Sequence, residues 1–248
     1  MESVTKRVGA TAAVVAGLVL TAASAGAQDL GRWSVSFDAG TQVAASGDAH
    51  AGGNGTVLGL ATQVSAKSFG DVFGPGFYWK AGLGYGIGER GEVRVGAAYT
   101  SNPAEALQVG TVAGLALNAQ FEDYNAFEMD FGYRQYLTGA STKVRPFVGA
   151  SVGFVNVDRI RSTFSVPAAN VTLSNVAFYD SSTVLGFGVG GGAQVQLTDH
   201  FGVQGGIDFR WHGDLGDEDG LAGTGLERIN DRSRRWAMPV TGGVTVRF

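Results

Sequence analysis

Beyond residue 28 the chain is dominated by runs in which apolar and polar residues alternate one by one. Successive strand residues point to opposite sheet faces, so each run predicts a β-strand with one apolar face. Eight such runs stand out: residues 32–40, 78–88, 92–100, 126–136, 144–155, 184–198, 201–212 and 236–248. In the first, Trp33, Val35, Phe37 and Ala39 oppose Ser34, Ser36 and Asp38. In the fourth, Phe127, Met129, Phe131 and Tyr133 oppose Glu128, Asp130, Gly132 and Arg134. Residues 56–66 and 111–121 alternate more weakly, as extra strands or as extensions beyond the main sheet.

The second face decides the architecture. A soluble sandwich would carry Lys and Glu on its outward face, whereas here it carries Gly, Ser and charges of both signs. Small residues beside large ones suit the narrow interior of an eight-strand barrel. The connections alternate in length, with short links at 89–91, 137–143 and 198–200 and long ones at 41–77, 101–125, 156–183 and 213–235. Short turns at one end and long loops at the other are the pattern of a transmembrane barrel. The expected fold is therefore all-β: an antiparallel up-and-down transmembrane β-barrel of eight strands, with ten as the alternative. With the N-terminus on the short-turn side, Trp33, Tyr136, Phe147, Phe201 and Phe248 would form one aromatic girdle. Trp79, Tyr99, Phe127, Trp211 and Trp236 would form the other.

The first segment reads differently. Lys6 and Arg7 precede an apolar run over residues 8–20, and Ala25-Gly26-Ala27 supplies a cleavage site of small residues. This is the order of a secretory signal peptide, and the run is shorter than the roughly 20 residues a membrane helix needs. Two segments are expected: 1–27 as the signal peptide and 28–248 as the barrel. No later stretch suits a spanning helix; 183–197 is interrupted by Gly186, Gly188, Gly190, Gly191 and Gly192, and such glycine density opposes helix formation.

The last strand ends in Phe248, with Val246 and Val244 at alternate positions before it. This resembles the C-terminal insertion signal read by the barrel-assembly machinery, with Val where an aromatic is common two places before the end. Residues 132–137 (GYRQYL) and 144–154 (VRPFVGASVGF) resemble the small OmpA/OmpX/OmpW-like outer-membrane barrel domains. The resemblance implies a bacterial outer-membrane location, contact with membrane lipid and lipopolysaccharide, and use of the assembly machinery, with no periplasmic domain after Phe248. It does not choose among structural, adhesive, channel and enzymatic roles. A monomer is expected.

Composition adds limits. The net charge is -4, without the basic excess that nucleic acid would require. The chain has no Cys, so disulfides and thiolate metal sites are excluded. Neither a cofactor nor a metal is expected.

The chemistry-bearing residues fall into three groups. Asp38, Lys80, Arg94, Glu128, Asp130, Arg134, Arg145, Asp208, Arg210 and Arg247 all face inward on the barrel reading. Their mixed signs suit an ion-paired lumen, since charges persist in a low-dielectric interior only when paired; a selective ion path is the alternative. In the last long loop, Asp214, Asp217, Glu218 and Asp219 precede Arg228, Arg232, Arg234 and Arg235. The acids lack the spacing of a calcium loop. Arg232, Arg234 and Arg235 stand where lipopolysaccharide phosphates would lie, and guanidinium recognises phosphate through paired hydrogen bonds. The histidines are His50, His200 and His212. None forms a recognisable pair with a nucleophile, so the expected role is a surface-interaction scaffold rather than an enzyme. The alternatives are a narrow solute channel and a lipid A-modifying enzyme.

Overall fold

The computed structural model describes residues 31–231 and 233–248. The expected signal peptide and Arg232 lie outside them. The strands are, in order, β1 (Trp33–His50), β2 (Gly53–Val57), β3 (Leu60–Val64), β4 (Lys67–Ser68), β5 (Gly76–Gly86), β6 (Gly91–Asn102), β7 (Leu107–Val112) and β8 (Leu115–Phe121). They continue with β9 (Tyr124–Tyr136), β10 (Val144–Val157), β11 (Ile160–Val166), β12 (Val171–Asp180), β13 (Ser182–Gln196), β14 (Phe201–His212), β15 (Gly216–Asp217) and β16 (Arg235–Arg247). One helical turn, α1 (Phe69–Val72), follows β4.

Eight long strands close into an antiparallel barrel in the order β1-β5-β6-β9-β10-β13-β14-β16. Closure is the pairing of β1 with β16, from Ser34 opposite Arg247 to Gly47 opposite Arg235. Closure leaves no open edge, the condition for a sheet to cross lipid. Among the described residues no helix is long and apolar enough to cross a membrane. Phe131, Met129, Leu185 and Val148 stand exposed on the outer wall, while Arg145, Arg210 and Gln194 are buried within.

The long connections are folded, not open loops. They supply a seven-strand sheet in the order β15-β12-β11-β8-β7-β3-β2. Its β2 edge is met by the last connection: the Thr56 N–H donates to the Thr224 carbonyl and the Ala51 N–H to the Ile229 carbonyl, both at 2.7 Å. All four long connections thus form one crown above the barrel. The weak alternation at 56–66 and 111–121 belongs to the hairpins β2–β3 and β7–β8 of this crown, so the barrel has eight strands and not ten.

Polarity inverts between the two parts. On β9 the inward residues run Tyr136, Arg134, Asp130 and Glu128, then Ala126 and Tyr124 toward the crown. On β10, Val155 and Val157 are likewise buried at the crown end. The crown interior is an apolar core that includes Val109, Ala119, Phe121, Ile160 and Phe178. Phe121 packs edge-on against Phe178 at 5.1 Å between ring centres, and also against Phe73 at 6.4 Å. Burying an aromatic or aliphatic side chain of this size contributes about 1.5–3 kcal/mol.

α1 is held by a capping box: the Ser68 hydroxyl accepts from the Asp71 N–H, and the Asp71 carboxylate accepts from the Ser68 N–H. Hydrogen bonds donated to it by the Ser68 hydroxyl and the Ser68 N–H hold the Asp71 carboxyl below its ordinary range. The turn presents Phe69 and Val72 to the core at the barrel mouth.

Candidate functional site

The barrel interior is filled in tiers. Nearest the short turns, Glu92 of β6 accepts hydrogen bonds from Ser34 and, at 2.9 Å, from the Tyr136 hydroxyl. Arg247 of β16 donates to the Tyr136 oxygen at 3.2 Å and to Gln194 at 2.6 Å. Arg145, fully buried, lies 3.9 Å over the Tyr136 ring. Arg134 lies 3.9 Å over the Phe147 ring and donates to Gln204 at 3.0 Å, which donates in turn to Asp38 at 2.7 Å. Guanidinium over an aromatic face keeps part of its electrostatic stabilisation after losing water. Arg94 donates to Ser36.

The middle tier is an ion-paired cluster. Lys80 of β5 pairs with Asp130 at 2.5 Å, and Arg210 of β14 bridges Asp130 at 2.9 Å and Glu128. Arg210 also donates to the Tyr78 hydroxyl at 2.9 Å. Gly96 makes room for the cluster: a methyl there would stand 2.6 Å from the Lys80 chain and 2.8 Å from the Asp130 carboxylate. Asp208 faces the same space, a polar cavity of about 90 Å³.

At the top, Arg235 donates to the Tyr124 hydroxyl and lies 5.1 Å from the Phe69 ring centre. The imidazole of His212 comes within 4.0 Å of Glu128. Above this tier lie Phe69, Phe73, Tyr124, Ala126, Val155 and Val157, all buried. The passage from lumen to crown is thus packed with apolar side chains.

Several sequence expectations are corrected by this geometry. Arg235 is not at the lipid surface. Trp236 points outward, so its neighbour points in, and Arg235 is only 4% exposed. Arg234 is exposed and pairs with Asp214 at 2.9 Å. Burial raises the Asp214 carboxyl, but bonds from the Ser233 N–H and the Arg234 side chain outweigh it and hold the group below its ordinary range. Glu218 pairs with Arg159 at 3.1 Å, and no cluster of metal-ligating side chains occurs among the described residues. Tyr136 and Phe147 stack on lumen arginines and are not girdle residues. Val244, Val246 and Phe248 share the outer face at the end of β16.

Two buried groups were missed. Glu92, next to a turn, is a further inward charge, on the side opposite Val93. His50 is buried in the crown, between Phe121 at 6.2 Å and Phe178 at 6.1 Å. Burial holds its imidazole below the ordinary pKa against an opposing bond to the Ala51 carbonyl.

The sequence matches the model of the outer membrane protein beta-barrel domain over residues 11–228. No curated protein sequence matches it. Among solved structures, Neisserial surface protein A is similar at 15% identity, with 88% of this chain and 99% of that one covered and a TM-score of 0.46. OprG from Pseudomonas aeruginosa has 12% identity, coverage of 89% and 97%, and a TM-score of 0.47. A major outer membrane protein from Thermus thermophilus has 16% identity, coverage of 88% and 99%, and a TM-score of 0.48.

Proposed function

The chain belongs to the outer membrane protein β-barrel domain family, and on that premise we propose that it is a non-conducting scaffold that holds a folded crown outside the cell. The observation that carries this reading is the doubly filled interior. The Lys80–Asp130–Arg210–Glu128 cluster occupies the barrel, and the apolar layer around Phe69, Phe73 and Val155 lies above it. A hydrated ion would have to break buried pairs and then cross a layer that offers it no ligands. All four long connections are committed to the crown, which suits presentation of a defined surface rather than gating.

The chain reaches the outer membrane through a signal peptide removed after Ala27, and Val244, Val246 and Phe248 serve as the signal for assembly. Arg234, exposed near Trp236, is the remaining described candidate for lipopolysaccharide phosphate. On this reading His212, buried beside Glu128 and Arg235, packs the top of the lumen.

Conductance in planar bilayers tests the reading. The folded protein, verified by its heat-dependent gel mobility, is expected to give no steady openings. Regular single-channel steps would replace the scaffold with a narrow channel through the 90 Å³ polar cavity.

A further inference from the structure

The inner faces of the crown strands do not meet everywhere. They enclose a chamber of about 170 Å³ to which all four long connections contribute. Val64, Val112, Leu117, Leu226 and Ile229 line it and are buried. Leu58, Leu60, Leu115 and Val171 line it and remain exposed, which makes an apolar mouth. No charged side chain lines the chamber. Of its few hydroxyls, those of Thr62 and Thr224 already donate to the carbonyls of Leu60 and Leu221. A water held in a cavity needs two to four polar partners, and this lining offers almost none.

The mouth carries a second, independent sign. The hairpins β2–β3 and β7–β8 turn through Leu58-Gly59 and Ala113-Gly114, with Leu58 at φ 54° and Ala113 at φ 49°. Asn, Asp or Gly is the ordinary first residue of such a turn, because in the left-handed region any Cβ crowds the following carbonyl oxygen, and only Gly lacks one while Asn and Asp offset it with local hydrogen bonds. Here an apolar residue stands in the left-handed region at both tips, and Leu58 is 72% exposed. Neither the turn nor the core requires it. An apolar rim does.

We propose that the crown chamber binds a small uncharged hydrocarbon-like molecule, of the size of a single aromatic ring with one or two added carbons. The size follows from the volume: an apolar protein cavity of about 150 Å³ stays dry and takes up benzene. The charge follows from the lining, which has no partner for an ion. The ligand is held in the crown, above the apolar layer and the charge cluster. The inference does not depend on the closed lumen, since a conducting barrel could carry the same chamber.

The test uses the full chain in phosphatidylcholine nanodiscs, titrated with toluene and followed through the methyl resonances of Val112, Leu226 and Ile229. Saturable shifts at these methyls are expected, with none from benzoate, which has the same ring and a charge. Leu117→Trp and Val176→Phe each fill the chamber, and whichever folds should weaken toluene binding at least tenfold. Unsaturable shifts confined to the outer-wall Leu185 and Ile207 would mean partition into bilayer and overturn the proposal. So would equal binding of benzoate, undiminished binding in a folded filled variant, or cross-peaks from lipid acyl chains to the chamber methyls before toluene is added.

Discussion

Barrel and crown are built from the same alternating β-chain, yet they sort it in opposite ways. In the barrel, Phe131 and Leu185 face out and Arg210 and Glu128 face in. In the crown, Gln63 and Gln108 face out while Val64, Val109 and Phe121 face in. Alternation fixes only that the two faces differ; the solvent outside each segment decides which face becomes the wall. On β9 and β10 the change occurs within single strands, on the inward side, between Glu128 and Ala126 and between Gly153 and Val155. The inner residues change from charged to apolar on β9, and from small to apolar on β10, on passing from barrel to crown. A crown turned inside out relative to its barrel also explains why one interior is held by pairing and the other by packing.

The largest expected effect breaks the pairing. Arg210→Met removes the cation shared by Glu128 and Asp130 and leaves two buried carboxylates with Lys80 alone. The expected cost is about 3–5 kcal/mol of barrel stability, the usual penalty for an orphaned buried charge. Urea unfolding in lipid vesicles, followed by tryptophan fluorescence, measures it; a loss below 1 kcal/mol would show that the cluster is not what holds the interior. Packing is the crown's counterpart. Phe121→Ala is expected to cost about 3–5 kcal/mol as well, but within the crown. Limited proteolysis should cut the connections while the barrel keeps its heat-dependent gel mobility. Joint loss of both parts would make them a single cooperative unit.

The inversion itself is tested by placing one charge on each outer wall. Phe131→Arg, in the apolar belt, is expected to cost about 2–4 kcal/mol in vesicles. Gln63→Arg, equally on the outside but in the crown, should stay within about 0.5 kcal/mol. Equal costs at the two positions would show that both walls meet the same solvent.

The eight barrel strands were legible because lipid outside and a crowded lumen inside impose strict alternation over ten or more residues. The crown was only half legible. Its strands are short, and β11 and β12 carry mixed faces such as Arg161-Ser162-Thr163-Phe164 with register shifts against each other. The run at the upper end of β1, Val43-Ala44-Ala45, has no contrast between neighbours, and a register shift falls there between Ala44 and Ser46. Arg235 and Glu92 are less legible for a different reason. Each adjoins a connection, where only the parity set by Trp236 and Val93 marks the residue as inward. His50 carried no local signal, because its burial comes from Phe121 and Phe178, far away in sequence.

His50 offers the smallest and most selective probe of the difference between the two interiors. Its imidazole is buried and neutral, flanked at longer range by Lys67, which disfavours protonation, and Asp48, which favours it. Burial lowers its pKa in the folded crown below the ordinary 6.5. The unfolded chain therefore binds the proton first, and crown stability is complete above about pH 6.5 and falls as the pH drops below that value. Protease susceptibility of the crown should therefore rise as the pH is lowered through about 6.5. His50→Phe, which keeps an aromatic ring between Phe121 and Phe178, should flatten that dependence and leave the Lys80–Asp130–Arg210 cluster unchanged. An identical acid response in the variant would move the titrating group elsewhere and remove the crown's interior as the pH-sensitive half.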